Sequence, residues 1–312
     1  MTPVNVAGLS GVVDLCSGLH HSCARLTDNS LRCWGYNGSG ELGDGTRVDR
    51  SSPVVGPSFT NIASLSCGGF HNCVRHTDGT VECWGGGSYG QLGNGSTPAS
   101  SSAVTVTGLS GVVELDLGED HSCARLSDGT MRCWGYDAQG EIGDGTSGTI
   151  RPLPVFVGGL AGATQITAGR SATCAVLADM TARCWGLNNF GQVGDGTMGT
   201  NRLVPTAVVG LTGVLEIDSG NSHTCARVAD STVRCWGVAG TIGDGTTASA
   251  RTTPTAVVGL GPVLEVVAGN VHTCARLADG SVRCWGDNSQ GQCGDGTSGA
   301  PRSTPVMVVG LP

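Results

Sequence analysis

Residues 112–146 read VVELDLGEDHSCARLSDGTMRCWGYDAQGEIGDGT. Near the centre, Ser127-Asp128-Gly129 separates two short runs that carry a cysteine each, Cys123 and Cys133. A three-residue link ending in glycine is the signature of a β-hairpin with a type I turn and a bulge, the glycine taking the left-handed position. That loop length sets the register. If Leu126 faces Thr130, Cys123 lies directly opposite Cys133, and opposed residues of an antiparallel pair are about 4.5 to 5.5 Å apart at Cα, within disulfide reach. Outward from the hairpin, residues 112–117 read as a first strand, 121–126 as a second and 130–134 as a third. A fourth begins at Pro154-Val155-Phe156-Val157, and glycine or proline bounds each run.

The stretch is one copy of six. Cys-Trp-Gly begins at Cys33, Cys83, Cys133, Cys184, Cys235 and Cys284, each ten residues after Cys23, Cys73, Cys123, Cys174, Cys225 and Cys274, and successive copies are 50, 50, 51, 51 and 49 residues apart. A four-stranded sheet exposes two faces, and radial stacking of such sheets covers both while leaving only short edges. The expectation is an all-β, closed β-propeller of six four-stranded blades with one disulfide per blade, forming a single domain over 1–312. The repeats run approximately 2–52, 53–102, 103–153, 154–204, 205–253 and 254–304, with a closing strand at 305–312. The outer-strand pattern occurs seven times, at Pro3-Val4-Asn5-Val6 as well as at Pro305-Val306-Met307-Val308, so one copy is surplus and either terminal strand can complete the last blade.

Asp28, Asp78, Asp128, Asp179, Asp230 and Asp279 recur in the hairpin, but Met180 and Ser231 stand where four copies have glycine or asparagine. A left-handed residue with a side chain costs about 1 to 2 kcal/mol, so a different loop geometry is expected in blades four and five. Three cysteines fall outside the pairs. Cys293 takes the place of Leu42, Leu92, Ile142, Val193 and Ile242 and reads as a small buried hydrophobe. Cys16 and Cys67 sit near the ends of neighbouring first strands, where a bridge between blades and two free thiols both remain open.

Composition bounds the function. The 312 residues hold 53 glycines, only 13% charged and 4% aromatic residues, a net charge of -8 and no lysine, so no basic surface exists to neutralise phosphate and nucleic acid is excluded as a partner. No apolar run approaches the ~18 residues of a membrane span, so no insertion is expected. Six stable disulfides imply an oxidising compartment, which places the protein outside the cell or in a periplasm. Met1-Thr2-Pro3 lacks the features of a signal peptide, so the leader is taken to be absent from this chain.

The unit GxxHxCARLxDGxVRCWGxNxxGQLGDGT followed by Pro-Val-x-Val resembles the repeat of the regulator of chromosome condensation family. Gly269, His272, Asp279-Gly280, Trp285-Gly286, Gly291-Gln292 and Gly294 carry the likeness most fully, and it extends over essentially the whole chain. The resemblance implies a propeller whose first strands line a central channel. Members commonly have seven blades, against six full repeats here. It also implies, as one alternative, a guanine nucleotide exchange factor-like regulator, although an acidic, lysine-free, disulfide-bonded chain fits neither a nucleus nor a nucleosome surface.

Sites of chemistry are few. His21, His71, His121, His223 and His272 each precede a cysteine by two residues, but Ala172 fills the position in blade four and zinc needs thiolates and a fourth ligand. These histidines read as hydrogen-bonded structural residues. Trp34, Trp84, Trp134, Trp185, Trp236 and Trp285 share one strand position and read as packing between blades, each indole N–H needing a local acceptor. Asp44, Asp144, Asp195, Asp244 and Asp295, with Asn94 in blade two, supply one carboxylate per loop, too few for calcium. With Arg50, Arg151, Arg202, Arg251 and Arg302 they read as loop structure. No GxSxG, Walker or HExxH motif occurs, so no catalytic residue, metal or cofactor is assigned and the protein is not expected to be an enzyme.

Positions shared by all repeats build the fold, so recognition must be written where the repeats differ. The link between first and second strands differs most, and loop residues on a rigid scaffold are a common binding surface. His20, Phe70, Glu119, Asp120, Arg170 and Asn221 are the candidates, all expected on one rim. The function expected is an extracellular protein-binding scaffold (inhibitor, adhesion or recognition module), acting as a monomer on a protein partner. The alternative is a carbohydrate-binding or glycan-processing propeller using exposed aromatics such as Phe70, Tyr89 or Phe190.

Overall fold

The computed structural model describes residues 4–311; Met1, Thr2 and Pro3, the last being the proline of the opening outer-strand copy, and Pro312 lie outside the described residues. Among the described residues every regular element is a strand, and the strands form six four-stranded antiparallel sheets, each a continuous stretch paired in chain order. Blades one to three (12–55, 62–105 and 112–156) belong to a compact unit spanning 5–161. Blades four to six (163–207, 214–256 and 263–307) belong to a second, made of 162–311 together with Val4. The chain is thus an all-β propeller of six blades.

Blade three shows how closely the repeat dictates its strands. The first two are Val112–Leu117 and His121–Leu126, as expected, whereas the third runs on to Asp137 and the fourth, Thr149–Phe156, starts well before Pro154. Pro152 and Pro154 mark an edge rather than a beginning, since proline is tolerated on an edge strand where no ladder hydrogen bond is needed from its nitrogen. Gly135, with φ of 108°, accommodates the bulge that carries pairing from Cys133–Val155 to Gly135–Arg151. In blade six the fourth strand is Gly299–Met307, so the C-terminal copy completes that blade, and Val4, Asn5 and Val6 lie in no strand.

The central hairpin has the expected register. Leu126 N–H donates to the Thr130 carbonyl at 2.9 Å and Cys123 opposes Cys133. Disulfides join all six pairs at Cα separations of 4.0 to 4.1 Å, the cysteines occupying the narrower, non-hydrogen-bonded pair of the ladder. Asp128 explains its own recurrence, because its Oδ1 accepts from Thr130 N–H at 2.9 Å and Thr130 Oγ1–H at 2.7 Å, stapling the turn. The expectation of a different loop in blades four and five is overturned. Met180 and Ser231 adopt φ of 59° and 65° and donate to Leu177 and Val228 as Gly129 donates to Leu126. The disulfide and the aspartate staple hold the loop shape, and the side-chain-bearing residue follows it. Cys16 and Cys67 do bridge blades one and two, and Cys293 is a free, buried cysteine whose thiol burial pushes up to about 11.

Blades are joined by a recurring polar ladder inside an apolar interface. The Gln91 carbonyl of blade two accepts from Trp134 Nε1–H at 2.8 Å and from Ser122 Oγ–H at 3.0 Å, both of blade three. Ser122 Oγ in turn accepts from His71 Nε2–H at 2.8 Å, which returns the ladder to blade two. Glu41, Trp84, Asn72 and His21 repeat this between blades one and two, and Gln192, Trp236 and Thr224 repeat its carbonyl half between blades four and five. These bonds supply the acceptors that the buried indoles of Trp84, Trp134 and Trp236 require and give His21 and His71 their partners. Burial pushes His71 and His223 down to about 3 and His121 to about 4, so they pack as neutral imidazoles. Around the ladder, the back of blade one (Cys23, Leu31, Cys33, Leu42) meets the front of blade two (Ile62, Leu65, Val74, Trp84).

The arginines and aspartates of the long loops form ion pairs. Arg50–Asp44, Arg151–Asp144, Arg202–Asp195, Arg251–Asp244 and Arg302–Asp295 lie at 2.6 to 3.1 Å. Hydrogen bonds from Thr297 and Arg302 hold Asp295 far below the ordinary carboxylate range. Blade two, which has Asn94 for the aspartate, also has Ser100 for the arginine, so both halves of the pair are replaced together.

Candidate binding surface

In the unit 5–161 the short links between first and second strands are fastened in series. Leu19 N–H donates to the Gly69 carbonyl and Gly69 N–H to the Gly118 and Glu119 carbonyls, each at 3.1 Å. Little space separates these links, since a Cβ on Gly69 would stand 2.8 Å from the Glu119 carbonyl oxygen. A second set of bonds brings the residue after each Trp-Gly beside the link. Tyr36, Gly86 and Tyr136 N–H donate to the carbonyls of His20, Phe70 and Asp120 at 2.8, 2.7 and 2.9 Å.

Backbone geometry thereby gathers an aromatic surface. His20 packs against Tyr36 and Phe70 with ring centroids 6.4 Å apart in each case, and Tyr89 meets Tyr136 edge-on at 4.8 Å. All three tyrosines of the chain therefore lie on this rim, with Tyr36 41% and Tyr89 40% exposed. Glu119 and Asp120 are half-buried beside them, and Asp120 Oδ1 accepts from Gln91 Nε2–H at 3.2 Å. Burial, Glu141, Tyr89 and Asp120 together raise the Tyr136 hydroxyl above its ordinary value, so it stays a neutral donor. Beneath the rim, burial raises Glu141 to about 7. The glutamine at the equivalent position in blade two, Gln91, accepts from Tyr89 N–H through its side-chain oxygen, as Glu141 accepts from Gln139 N–H.

Four of the six candidates, His20, Phe70, Glu119 and Asp120, thus lie on consecutive links of one unit. Arg170 and Asn221 occupy equivalent links in the unit 162–311. There Arg170 N–H donates to the Gly220 carbonyl and Asn221 N–H to the Asn270 carbonyl. Arg170 is exposed and Asn221 half-buried, while the residues after Trp-Gly are Leu187, Val238 and Asp287, so no tyrosine joins them. Phe190, 43% exposed, is the aromatic side chain of that unit's long loops. Tyr36 and Tyr136 were not among the residues singled out from sequence. The signal was present, because the position after Trp-Gly varies as Tyr, Gly, Tyr, Leu, Val and Asp between invariant neighbours.

The sequence matches the RCC1-like domain over residues 3–311. No curated protein matches the chain. Among solved structures, Prp20p from Saccharomyces cerevisiae is similar at TM-score 0.84 and 21% identity, over 96% of this chain and 77% of that one. Human WBSCR16 is similar at TM-score 0.86 and 22% identity, over 99% and 85%. The ectodomain of the Physcomitrella patens receptor kinase CR4 is similar at TM-score 0.57 and 22% identity, over 88% and 61%.

Proposed function

Since the chain belongs to the RCC1-like domain family, we propose that it is an extracellular protein-binding scaffold whose contact surface is the aromatic rim of residues 5–161. The observation that carries this reading is the gathering of Tyr36, Tyr89 and Tyr136 with His20 and Phe70 on links whose backbones are hydrogen-bonded to one another. Tyrosine supplies large contact area and a polar tip for little conformational entropy, and aromatic anchors carry most of the energy at protein interfaces. Yeast Prp20p is bound by Kap60 and has binding properties toward Gsp1p and histones, so propellers of this fold do serve as protein-binding surfaces. An oxidising compartment is supported by seven disulfides. A protein is favoured over a glycan because Tyr89 and Tyr136 meet at 66°, edge to face, rather than presenting one flat stacking platform.

The test is affinity capture from the source organism's culture medium under non-reducing conditions, comparing the unaltered chain with Tyr36→Ala/Phe70→Ala and Phe70→Ala/Arg170→Ala. A protein retained by the parent and lost by the first variant, at unchanged melting temperature, is the expected result, each anchor being worth about 2 kcal/mol or more. Equal retention by all three proteins discards the rim. Retention on a glycan array, with no protein captured, replaces the partner class.

A further inference from the structure

Three of the long loops between third and fourth strands are closed by one buried amide, that of Asn37, Asn188 and Asn288, each the second residue after Trp-Gly. Asn37 Oδ1 accepts from Leu42 N–H at 2.9 Å. Its Nδ2–H group donates to Asp44 Oδ1, to Thr46 Oγ1 and to the carbonyls of Thr46 and Val48 at 3.1 to 3.3 Å. Asn188 repeats this on Asp195 and Thr197, and Asn288 on Asp295 and Thr297. Several loop oxygens that would otherwise repel one another are thus gathered around a single NH2 group.

Blade three has Asp137 at this position, equally buried. Its Oδ1 accepts from Ile142 N–H at 3.2 Å, as the asparagine oxygens accept from Leu42, Val193 and Cys293. Its Oδ2 therefore stands where the others carry the NH2 group, turned toward Asp144 and Thr146, and no hydrogen bond reaches it. The Thr146 hydroxyl is already given to Asp144 Oδ1 at 2.6 Å, and Arg151, which pairs with Asp144 at 2.8 Å, stays 3.9 Å from Asp137. The charged groups that face Asp137 are Asp144 and Glu141 of its own loop and Arg151 of the fourth strand. An ionised Asp137 would press one acceptor against others in a dry site, a cost that a bound proton removes.

We infer that Asp137 holds a proton and donates it in place of the asparagine N–H, so that the loop 138–148 of blade three is closed in mild acid and loosens as the pH rises. Burial, backed by the charge of Asp144, raises the Asp137 carboxyl to about 6 from an ordinary 3.8, in spite of Ile142 N–H and Arg151. The unfolded chain gives up this proton near 3.8, so the stability it contributes is complete below that value and is lost as the pH rises through about 6, about a hundredfold in the folding equilibrium. A proton is the occupant rather than a metal ion because Arg151 neutralises Asp144, leaving one carboxylate where calcium takes about six to eight oxygen ligands. At the base of the loop Gly148 N–H donates to the Asp137 carbonyl at 2.7 Å and Tyr136 pairs with Ile150, so the segment that the proton closes borders the aromatic rim.

The test follows melting and amide exchange of the full chain from pH 4 to pH 8, throughout in a Glu141→Gln background that silences the neighbouring carboxyl. Asp137→Asn is expected to raise the melting temperature by about 5 to 10 °C at pH 8 and to leave it unchanged at pH 4. Asn37→Asp, the reverse exchange in blade one, is expected to lower it at pH 8 and not at pH 4. Amide protection at Gly148 is expected to fall about tenfold or more from pH 5 to pH 8 while Asp137 is present, and to stay level in Asp137→Asn. Infrared difference spectra of the two proteins at pH 5 then contain the carbonyl band of a protonated acid. An Asp137→Asn protein whose gain is absent at pH 8, or equal at both pH values, overturns the inference. So does a chain retaining Asp137 that calcium chloride raises at pH 8 to the level of Asp137→Asn, because a metal ion is then the occupant.

Discussion

Reduction of the disulfides is the perturbation that reaches furthest. Each intrablade bridge spans ten residues, and on the chain-entropy model a loop of that length contributes about 2.7 kcal/mol by restricting the unfolded chain. The Cys16–Cys67 bridge closes a span of 51 residues and contributes about 4 kcal/mol on the same relation. Domains are typically stable by about 5 to 15 kcal/mol, so six hairpin bridges are comparable with the whole. Replacing Cys123 and Cys133 together with alanine is expected to lower stability by about 2 to 3 kcal/mol, read as a lower urea midpoint at unchanged slope. Full reduction followed by alkylation is expected to abolish the cooperative transition at 25 °C, followed by circular dichroism near the β minimum. A reduced, alkylated protein that melts with the oxidised one would refute the reasoning, and with it the oxidising compartment.

Four further outcomes rest on particular contacts. Met180→Gly and Ser231→Gly relieve a left-handed side chain costing about 1 to 2 kcal/mol but loosen the unfolded chain by about 0.5 to 1 kcal/mol. Each is therefore expected to raise thermal stability slightly, and a fall on melting would show that the loop is not strained. Restoring the ion pair of blade two by Asn94→Asp with Ser100→Arg should stabilise by about 0.5 to 1 kcal/mol beyond the sum of the single changes in a double-mutant cycle; additivity would place the residues apart. The buried imidazoles of His71, His121 and His223 remain neutral to pH about 3 or 4, whereas an unfolded histidine binds its proton near 6.5. Stability is thus lost as pH falls through that window, by about 1.4 kcal/mol per pH unit for each histidine. Glu141, raised to about 7, acts in the opposite sense: in the folded protein it binds a proton that the unfolded chain holds only below the ordinary 4.5. Glu141→Gln should accordingly raise the melting temperature at pH 8 and leave it unchanged at pH 4, and an equal effect at both would assign the gain to packing alone.

The hairpin register, the disulfides and the strand order were legible because each follows from local rules applied within ten residues. Cys123 faces Cys133 as soon as Ser127-Asp128-Gly129 is recognised as a three-residue link. The Met180 and Ser231 loops were misread because intrinsic preference was weighed without the tertiary restraint, and about 1 kcal/mol of local strain is easily outweighed by a disulfide and an aspartate staple. The rim was half legible. Variation between repeats pointed to His20 and Phe70, but Tyr36 and Tyr136 reach them only through main-chain bonds to His20 and Asp120, which join residues sixteen apart and leave no mark in local sequence.

That same ladder decides how function can be carried on such a chain. Residues 21, 71 and 223, the indoles of Trp84, Trp134, Trp236 and Trp285, and the main-chain carbonyls of Glu41, Gln91, Gln192 and Thr241 are occupied in joining one blade to the next, and burial keeps them dry. Altering any of them for the sake of a ligand would leave an indole or imidazole N–H unpaired in the interface, a cost of about 1 to 3 kcal/mol. Only positions outside the ladder are free to vary without that penalty, and in blades one to three residues 20, 36, 70, 119, 120 and 136 are among those that vary. Their side chains are also those that collect on one rim, so the constraint that holds the blades together is itself what leaves that surface open to variation.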